Sequence, residues 1–201
     1  MPELSLTDFV DFASAGGTSK LTKVRRFKLR PEYEPAFDFY KRLREGIVSC
    51  HAAGDAKSQL AKHVGDITDA KKKGHYADAI KGYKKWWGKK PLSWFAPPRE
   101  AYSEGDVSIR VNPELGLRVD GKPHVIKLYF KADKLSKPRV DVITHLMDKA
   151  LRASAPAGTT MCVLDVRNGK LIAPTVPIPD LDAVLRGEIA YLAAVWESVK
   201  T

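Results

Sequence analysis

The residues of this sequence best suited to chemistry are one acid and a short run of alternating polar residues. Glu114 follows a proline and comes directly before a segment in which apolar residues alternate. Lys127, Tyr129 and Lys131 alternate with large apolar residues further along the chain. Because side chains alternate across a strand, these three residues are predicted to share one face. The two lysines of that face either form a structural salt bridge, for which Glu114 and Asp141 are the candidate acids, or bind an anion.

A second group of chemically useful residues is cationic. The chain has 34 Lys and Arg against 24 Asp and Glu, a net charge of +10 and a pI near 9.5. Eight lysines and one acid, Asp78, lie between Lys71 and Lys90, and a second basic cluster between residues 20 and 30 includes Arg25 and Arg26. Such clusters attract phosphates, so nucleic acid is the predicted partner, with an acidic protein or a merely solvated surface as alternatives.

Other kinds of site find little support in the sequence. Two cysteines in unrelated contexts exclude a disulfide scaffold and a four-cysteine zinc site. The sequence has no HExxH, GxGxxG or GxxxxGK[ST] motif and no GxSxG elbow. The apolar runs are far shorter than the roughly 20 residues that span a bilayer, and the first residues do not look like a secretion signal. A cytoplasmic protein without a membrane partner is therefore expected.

The elements of the first half are predicted to be helices. Apolar residues recur every three or four positions in four segments, with Gly or Pro near several of their ends. These segments are residues 5–15, 36–53, 60–67 and 76–87. The basic stretch from Lys20 to Arg30 alternates and is predicted to be a strand or an extended linker. In the helix that contains Tyr83, Trp86 and Trp87, spacing favours the aromatic rings in the core and the lysines on the solvated face.

The second half is predicted to form a sheet. Alternating residues indicate three strands, an Asp120-Gly121 hairpin turn joins the second to the third, and a helix, one or two strands and a last helix follow. The three strands are residues 107–111, 115–119 and 123–131. The order α-β-β-β-α-β-(β)-α predicts an α/β (α+β) fold with a mixed sheet flanked by helices. A helical region, residues 1–90, is expected to pack on a core of residues 91–201 as one compact domain.

This order resembles the core of the PD-(D/E)XK nuclease superfamily over about residues 75–175. In that family an acid after a proline opens the second core strand, and an acid-x-lysine triplet lies on the third strand at the same edge. Pro113-Glu114 matches the first feature. Lys127 and Tyr129 stand at the acid and lysine positions of the triplet. The family holds a divalent cation between two carboxylates, while the lysine positions or activates water.

Because lysine cannot ligate a cation, the resemblance implies a degenerate, non-catalytic nuclease-like fold kept for binding nucleic acid, without a cofactor. Glu114, Lys127 and Lys131 are the residues it implies for catalysis. If the fold is active, Glu114 and Asp106 are the predicted ligands of Mg²⁺ or Mn²⁺.

The residues predicted to bind nucleic acid are Lys84, Lys85, Lys89, Lys90, Tyr129, Arg25 and Arg26. Binding is expected to be non-specific and salt-sensitive. Two alternatives stay open. One is an active metal-dependent nuclease or phosphodiesterase with an acid relocated to a neighbouring element. The other is a non-enzymatic module whose apolar helices dock a partner protein.

Overall fold

A computed structural model describes residues 2–30, 38–133, 135–174 and 179–200. The helices are α1 Leu6–Ala13, α2 Thr18–Lys28, α3 Lys41–Ala52, α4 Leu60–Val64, α5 Ala70–Trp87, α6 Lys137–Leu151 and α7 Leu181–Ser198. The strands are β1 Glu3–Ser5, β2 Leu92–Phe95, β3 Glu100–Glu104, β4 Val107–Val111, β5 Leu115–Val119, β6 Lys122–Tyr129, β7 Thr160–Asp165 and β8 Lys170–Ile172. The predicted α/β class, with helices flanking mixed sheets, is confirmed.

The larger sheet has five strands in the order β2-β5-β6-β7-β8. Its pairs are antiparallel except β6 and β7, which are parallel and joined through helix α6. The predicted hairpin is present, because β5 and β6 pair across a turn in which Asp120 and Gly121 both have positive φ. Glu114 therefore lies at the start of β5, level with the second half of β6.

A smaller sheet of three strands, β1-β4-β3, was not predicted. The sequence placed residues 107–111 in the same sheet as residues 115–119, and this was wrong. Strand β4 pairs in parallel with β1 and antiparallel with β3, and the Asn112-Pro113 break then carries the chain to the larger sheet. Strand β1 has only three residues, and β3 has no fully buried residue, so neither shows a clear apolar alternation.

Both faces of the larger sheet are covered. Ile126, Leu128 and Phe130 pack with helices α3, α4 and α5, whereas Val125 and Tyr129 pack with α1, α6 and α7. The alternation predicted along β6 is confirmed. Each of the two core clusters draws residues from both halves of the chain, because the first contains β1, α1 and α6 and the second contains α3, α5 and β5.

The stretch from Lys20 to Arg30 is helix α2, so the prediction of a strand or linker was wrong. Leu21, Val24 and Phe27, three residues apart, pack into the core beside α7. Lys28 donates hydrogen bonds to the carbonyl groups of Trp196 and Val199 at 2.8 and 2.7 Å, which satisfies acceptors at the end of α7. The alternation of basic residues was a weaker signal than this helical spacing.

Helices α3, α4 and α5 follow the predicted order, but α3 and α4 are shorter than predicted and α5 begins earlier, at Ala70. Helix α3 begins at Lys41; the predicted start at Ala36 lies outside the described residues. Helix α4 ends at Val64, where Gly65 has a positive φ. Asp69 caps α5 by accepting from the backbone N–H of Lys71 at 2.8 Å.

Helix α5 lies unusually close to the turn between β7 and β8. A Cβ at Gly82 would be 2.2 Å from the carbonyl oxygen of Val166 and 2.3 Å from that of Arg167. Only a glycine allows the helix backbone to approach the turn so closely. The contact fixes the rotation of α5, with Tyr83, Trp86 and Trp87 in the core as predicted.

Candidate nucleic-acid interface

A cleft of about 250 Å³ lies at the carboxyl end of β6, before the chain enters α6. Its lining includes Glu114, Lys127 and Lys131, so the structure brings together the three residues that the resemblance implied for catalysis. In open α/β sheets, ligands bind at the carboxyl ends of parallel strands, and β6 is one of the parallel pair. The cleft therefore has the position in the sheet at which a binding site is expected.

Glu114 has two neighbours in this cleft that use both of its carboxylate oxygens. Oε1 accepts a hydrogen bond from the ammonium of Lys127 at 2.6 Å, and Oε2 accepts from the backbone N–H of Leu128 at 2.8 Å. Lys127 also donates to the carbonyl group of Asn112 at 3.1 Å. The salt-bridge alternative is confirmed for this lysine. The position beside the carboxylate that a cation would occupy is taken by an ammonium group.

Lys131 pairs with an acid that the sequence reasoning missed, Asp11 of helix α1. Asp11 accepts hydrogen bonds from Lys131 and, at 2.7 Å, from Arg139 at the start of α6. Burial opposes its ionisation, but the hydrogen bonds and positive charges of Lys131 and Arg139 together hold the pKa of Asp11 below its usual value. Asp11 lies off the apolar side predicted for this helix, which contains Leu6, Phe9 and Val10, so its burial left no local signal in the sequence.

A third ion pair, between Arg44 and Asp38 at 2.7 Å, also lines the cleft. The cleft thus holds three acids and four basic groups, joined in three ion-paired units. Tyr129 lines the cleft as well, but its side chain is buried and its hydroxyl donates to the carbonyl group of Asp133 at 3.1 Å. Burial raises the pKa of Tyr129, so the hydroxyl stays neutral at ordinary pH.

The predicted metal ligands are not brought together. Asp106 lies in the turn between β3 and β4, beside Trp196 and Glu197, and does not line the cleft that contains Glu114. Within the described ranges, no group of three or more His, Cys, Asp or Glu residues is arranged to hold a metal ion. A cation at Glu114 would first have to displace the ammonium of Lys127.

The second candidate feature is the lysine face of helix α5, made up of Lys71, Lys73, Lys81, Lys84 and Lys85. The opposite side of the helix is buried, so these side chains point to solvent, and only Lys84 is half-buried. None of the five forms an ion pair with any residue that the structure describes. The single acid of this segment, Asp78, lies 3.3 Å from Arg167.

The remaining predicted binding residues lie around this face or far from it. Lys89 is exposed just beyond α5. Lys90 donates to the carbonyl group of Trp86 and lies 5.6 Å from the centre of its ring, which gives it a capping role. Arg25 and Arg26 are exposed on α2, which packs with α1 and α7 in one core cluster, whereas α5 belongs to the other. The structure therefore does not join the two basic clusters into one surface.

A separate polar cluster connects α3 to α4. His63 Nε2 lies 2.6 Å from Asp55, and its Nδ1 lies 3.1 Å from the hydroxyl of Ser49. The order of groups resembles a nucleophile, a base and an acid. Ser49, however, is inside helix α3, where the backbone N–H groups are used by the helix and cannot stabilise an oxyanion. The cluster therefore has a structural role, in which hydrogen bonds link α3 to α4.

Comparison with protein-family models, curated proteins and solved structures found no match to this chain. The resemblance to the PD-(D/E)XK superfamily therefore remains a prediction from its residues. None of the helices within the described residues has the length and apolar character needed to cross a membrane.

Proposed function

We propose that this protein binds nucleic acid through the lysine face of α5 and does not cleave it. The observation that carries the proposal is the set of five lysines on one helix face without ion-pair partners among the described residues. Uncompensated ammonium groups attract phosphates, and each contact releases counterions from the nucleic acid. Lysines that contact phosphates carry no base preference, so binding is non-specific.

The non-catalytic part of the proposal is supported by the pair of Glu114 and Lys127. A divalent cation for phosphodiester cleavage needs carboxylate oxygens away from other cations, and the ammonium of Lys127 lies 2.6 Å from Oε1 of Glu114. The ammonium of Lys127 neutralises the carboxylate in place of a metal. The charged groups of the cleft join α1, α6 and β6 through ion pairs and hydrogen bonds.

Fluorescence anisotropy with a labelled oligonucleotide tests the binding. If all five lysines contact phosphates, the logarithm of the affinity should fall with the logarithm of salt concentration with a slope of up to about −4. Raising salt from about 50 to about 200 mM should then weaken binding by on the order of 100-fold. No binding at low salt would remove the proposal.

A pair of matched variants locates the surface. Lys81→Glu combined with Lys85→Glu should abolish most of the binding. Lys122→Glu combined with Lys170→Glu changes the net charge by the same amount at exposed positions outside α5 and should leave most of it. An equal loss in the two variants would show that overall charge, and not the lysine face, attracts the nucleic acid.

Incubation of the same oligonucleotide with Mg²⁺ or Mn²⁺ tests the absence of cleavage. We expect intact substrate in both cases. Metal-dependent cleavage that is lost in Glu114→Ala would contradict this part of the proposal and favour the active nuclease.

A further inference from the structure

Helix α7 has an outer face without charge. Its 18 residues bury Leu181, Leu185, Ile189 and Leu192 against the core. The exposed residues on the opposite side are Ala183, Val184, Gly187, Ala190, Tyr191, Ala194 and Ser198, and we call them the outer face of α7. Val184 is 57% exposed and Tyr191 44%, and they are two of the three large apolar residues that are exposed within the described part of the chain.

This composition is unusual for a helix surrounded by water. Surface helices keep charged and polar residues on the side away from the core, and 29% of this chain is charged. A continuous exposed apolar surface marks a place of contact with another molecule. The small side chains of Gly187, Ala190 and Ala194 would let a second helix approach to an interaxial distance of about 8 Å.

The charges that border the outer face indicate which partner it contacts. Arg186 and Glu197 are eleven residues apart, about three helical turns, and therefore lie along the same edge of the helix. Both are exposed, and neither forms an ion pair within the residues that the structure describes. If a second α7 lies antiparallel across a two-fold axis near Tyr191, Arg186 faces Glu197 of the partner subunit, and the contact occurs twice.

We infer that two copies of this chain associate through the outer faces of α7 as an antiparallel pair. An 18-residue helix is about 27 Å long, so one helix face buries only a few hundred Å² for each subunit. A standard stable interface buries about 800 Å² for each partner. The dimer therefore forms and separates with concentration, and its association does not depend on the proposed binding of nucleic acid.

Analytical ultracentrifugation of the full chain over a range of concentrations, at about 0.15 M salt to screen the repulsion between two basic chains, tests the inference. The average mass should rise from 22.3 kDa towards twice that value as concentration increases. Ala190→Glu, at an exposed position, should keep the chain monomeric with an unchanged circular dichroism spectrum. A wild-type chain that stays monomeric throughout overturns the inference.

Exchange of the two charges distinguishes the antiparallel dimer from non-specific association. Arg186→Glu alone and Glu197→Arg alone should each weaken association several-fold, because each places like charges together. The combined variant restores the two opposite-charge contacts and should recover association. Lys62→Glu, an exposed change of the same size on α4, should have no effect. If the combined variant fails to recover association, the antiparallel arrangement is wrong.

Discussion

The ammonium of Lys127 lies 2.6 Å from the carboxylate of Glu114, and the two side chains are only 15% and 11% exposed. Because so little water reaches either group, each depends on the other for its charge compensation. The pair also links the start of β5 to β6, so its contribution is to the stability of the cleft.

Replacement of Lys127 by Met should lower the free energy of unfolding by about 2–3 kcal/mol, because the carboxylate of Glu114 keeps its burial and loses its counterion. Glu114→Gln combined with Lys127→Met should lower it by less than the sum of the single changes, with a coupling of about 1–3 kcal/mol. Urea unfolding of Lys127→Met, Glu114→Gln and the combined variant measures these changes. Lys41→Met, which breaks a more exposed pair with Glu45, is the control and should change stability by less than about 1 kcal/mol. Additive single effects would contradict a shared charge unit.

The buried His51 should make the protein less stable at mildly acidic pH. Burial lowers the pKa of His51 from 6.5 to about 4. Between these two pH values the imidazole of His51 is protonated in the unfolded chain but not in the folded chain. The free energy of unfolding therefore falls as pH drops from 6.5 towards 4. The loss at the lower end is up to about 3 kcal/mol.

Urea unfolding at pH 7 and pH 4.5 measures this loss, and His51→Gln should remove most of it. Tyr83, whose hydroxyl lies 2.6 Å from Nε2 of His51, supplies a control. Tyr83→Phe removes the hydrogen bond but keeps His51 buried, so the acid-dependent loss should persist. A pH dependence that is unchanged in His51→Gln would assign the effect to another group.

Protonation of Asp11 should lower the free energy of unfolding a second time, at a more acidic pH than His51. The hydrogen bonds from Lys131 and Arg139 hold the pKa of Asp11 below its ordinary value of 3.8 even though burial opposes ionisation. The stabilisation is therefore complete above about pH 4 and is lost as pH falls through the lowered pKa of the folded state. Asp11→Asn should be less stable than the wild type at pH 7 and should show a shallower decline below pH 4. Unfolding curves between pH 7 and pH 2.5 measure both, and an equally steep decline in the variant would contradict the assignment.

Two glycines of α5 should respond oppositely to the same substitution. Gly82→Ala places a Cβ against the backbone carbonyl groups of the turn between β7 and β8, so α5 must move and we expect a loss of about 3 kcal/mol or more. Gly74→Ala meets nothing within 4 Å and should gain about 0.5–1 kcal/mol, because alanine favours the helix. Thermal or urea unfolding compares the two. Similar effects at the two positions would show that α5 does not lie on that turn.

Much of the fold could be predicted because its signals are local. The apolar spacing of α5, the alternation along β6 and the Asp120-Gly121 turn each depend on residues that are close in sequence. The smaller sheet could not be predicted, since β1 has three residues and its partner β4 lies more than a hundred positions away. Pairing over that distance leaves no periodic trace in either segment.

The cleft was predicted in part for the same reason. Glu114 and Lys127 face each other across a hairpin whose turn is visible in the sequence, so their contact followed from strand alternation. Asp11 was missed because it reaches Lys131 from a helix 120 positions away, and no local rule connects them. The prediction that Glu114 and Asp106 share a metal site was wrong, because the chain passes from the smaller to the larger sheet at Asn112-Pro113.

The pairing of Leu4 with Ile109 has a consequence for the synthesis of this chain. A ribosome adds about 5–20 residues per second, so β4 is synthesised about 5–20 seconds after β1. During that interval the apolar side of α1, with Phe9 and Phe12, has no sheet to cover it. Association of the nascent chain with chaperones or with other chains competes with folding at this stage, and slowing translation beyond residue 20 should lower the soluble yield.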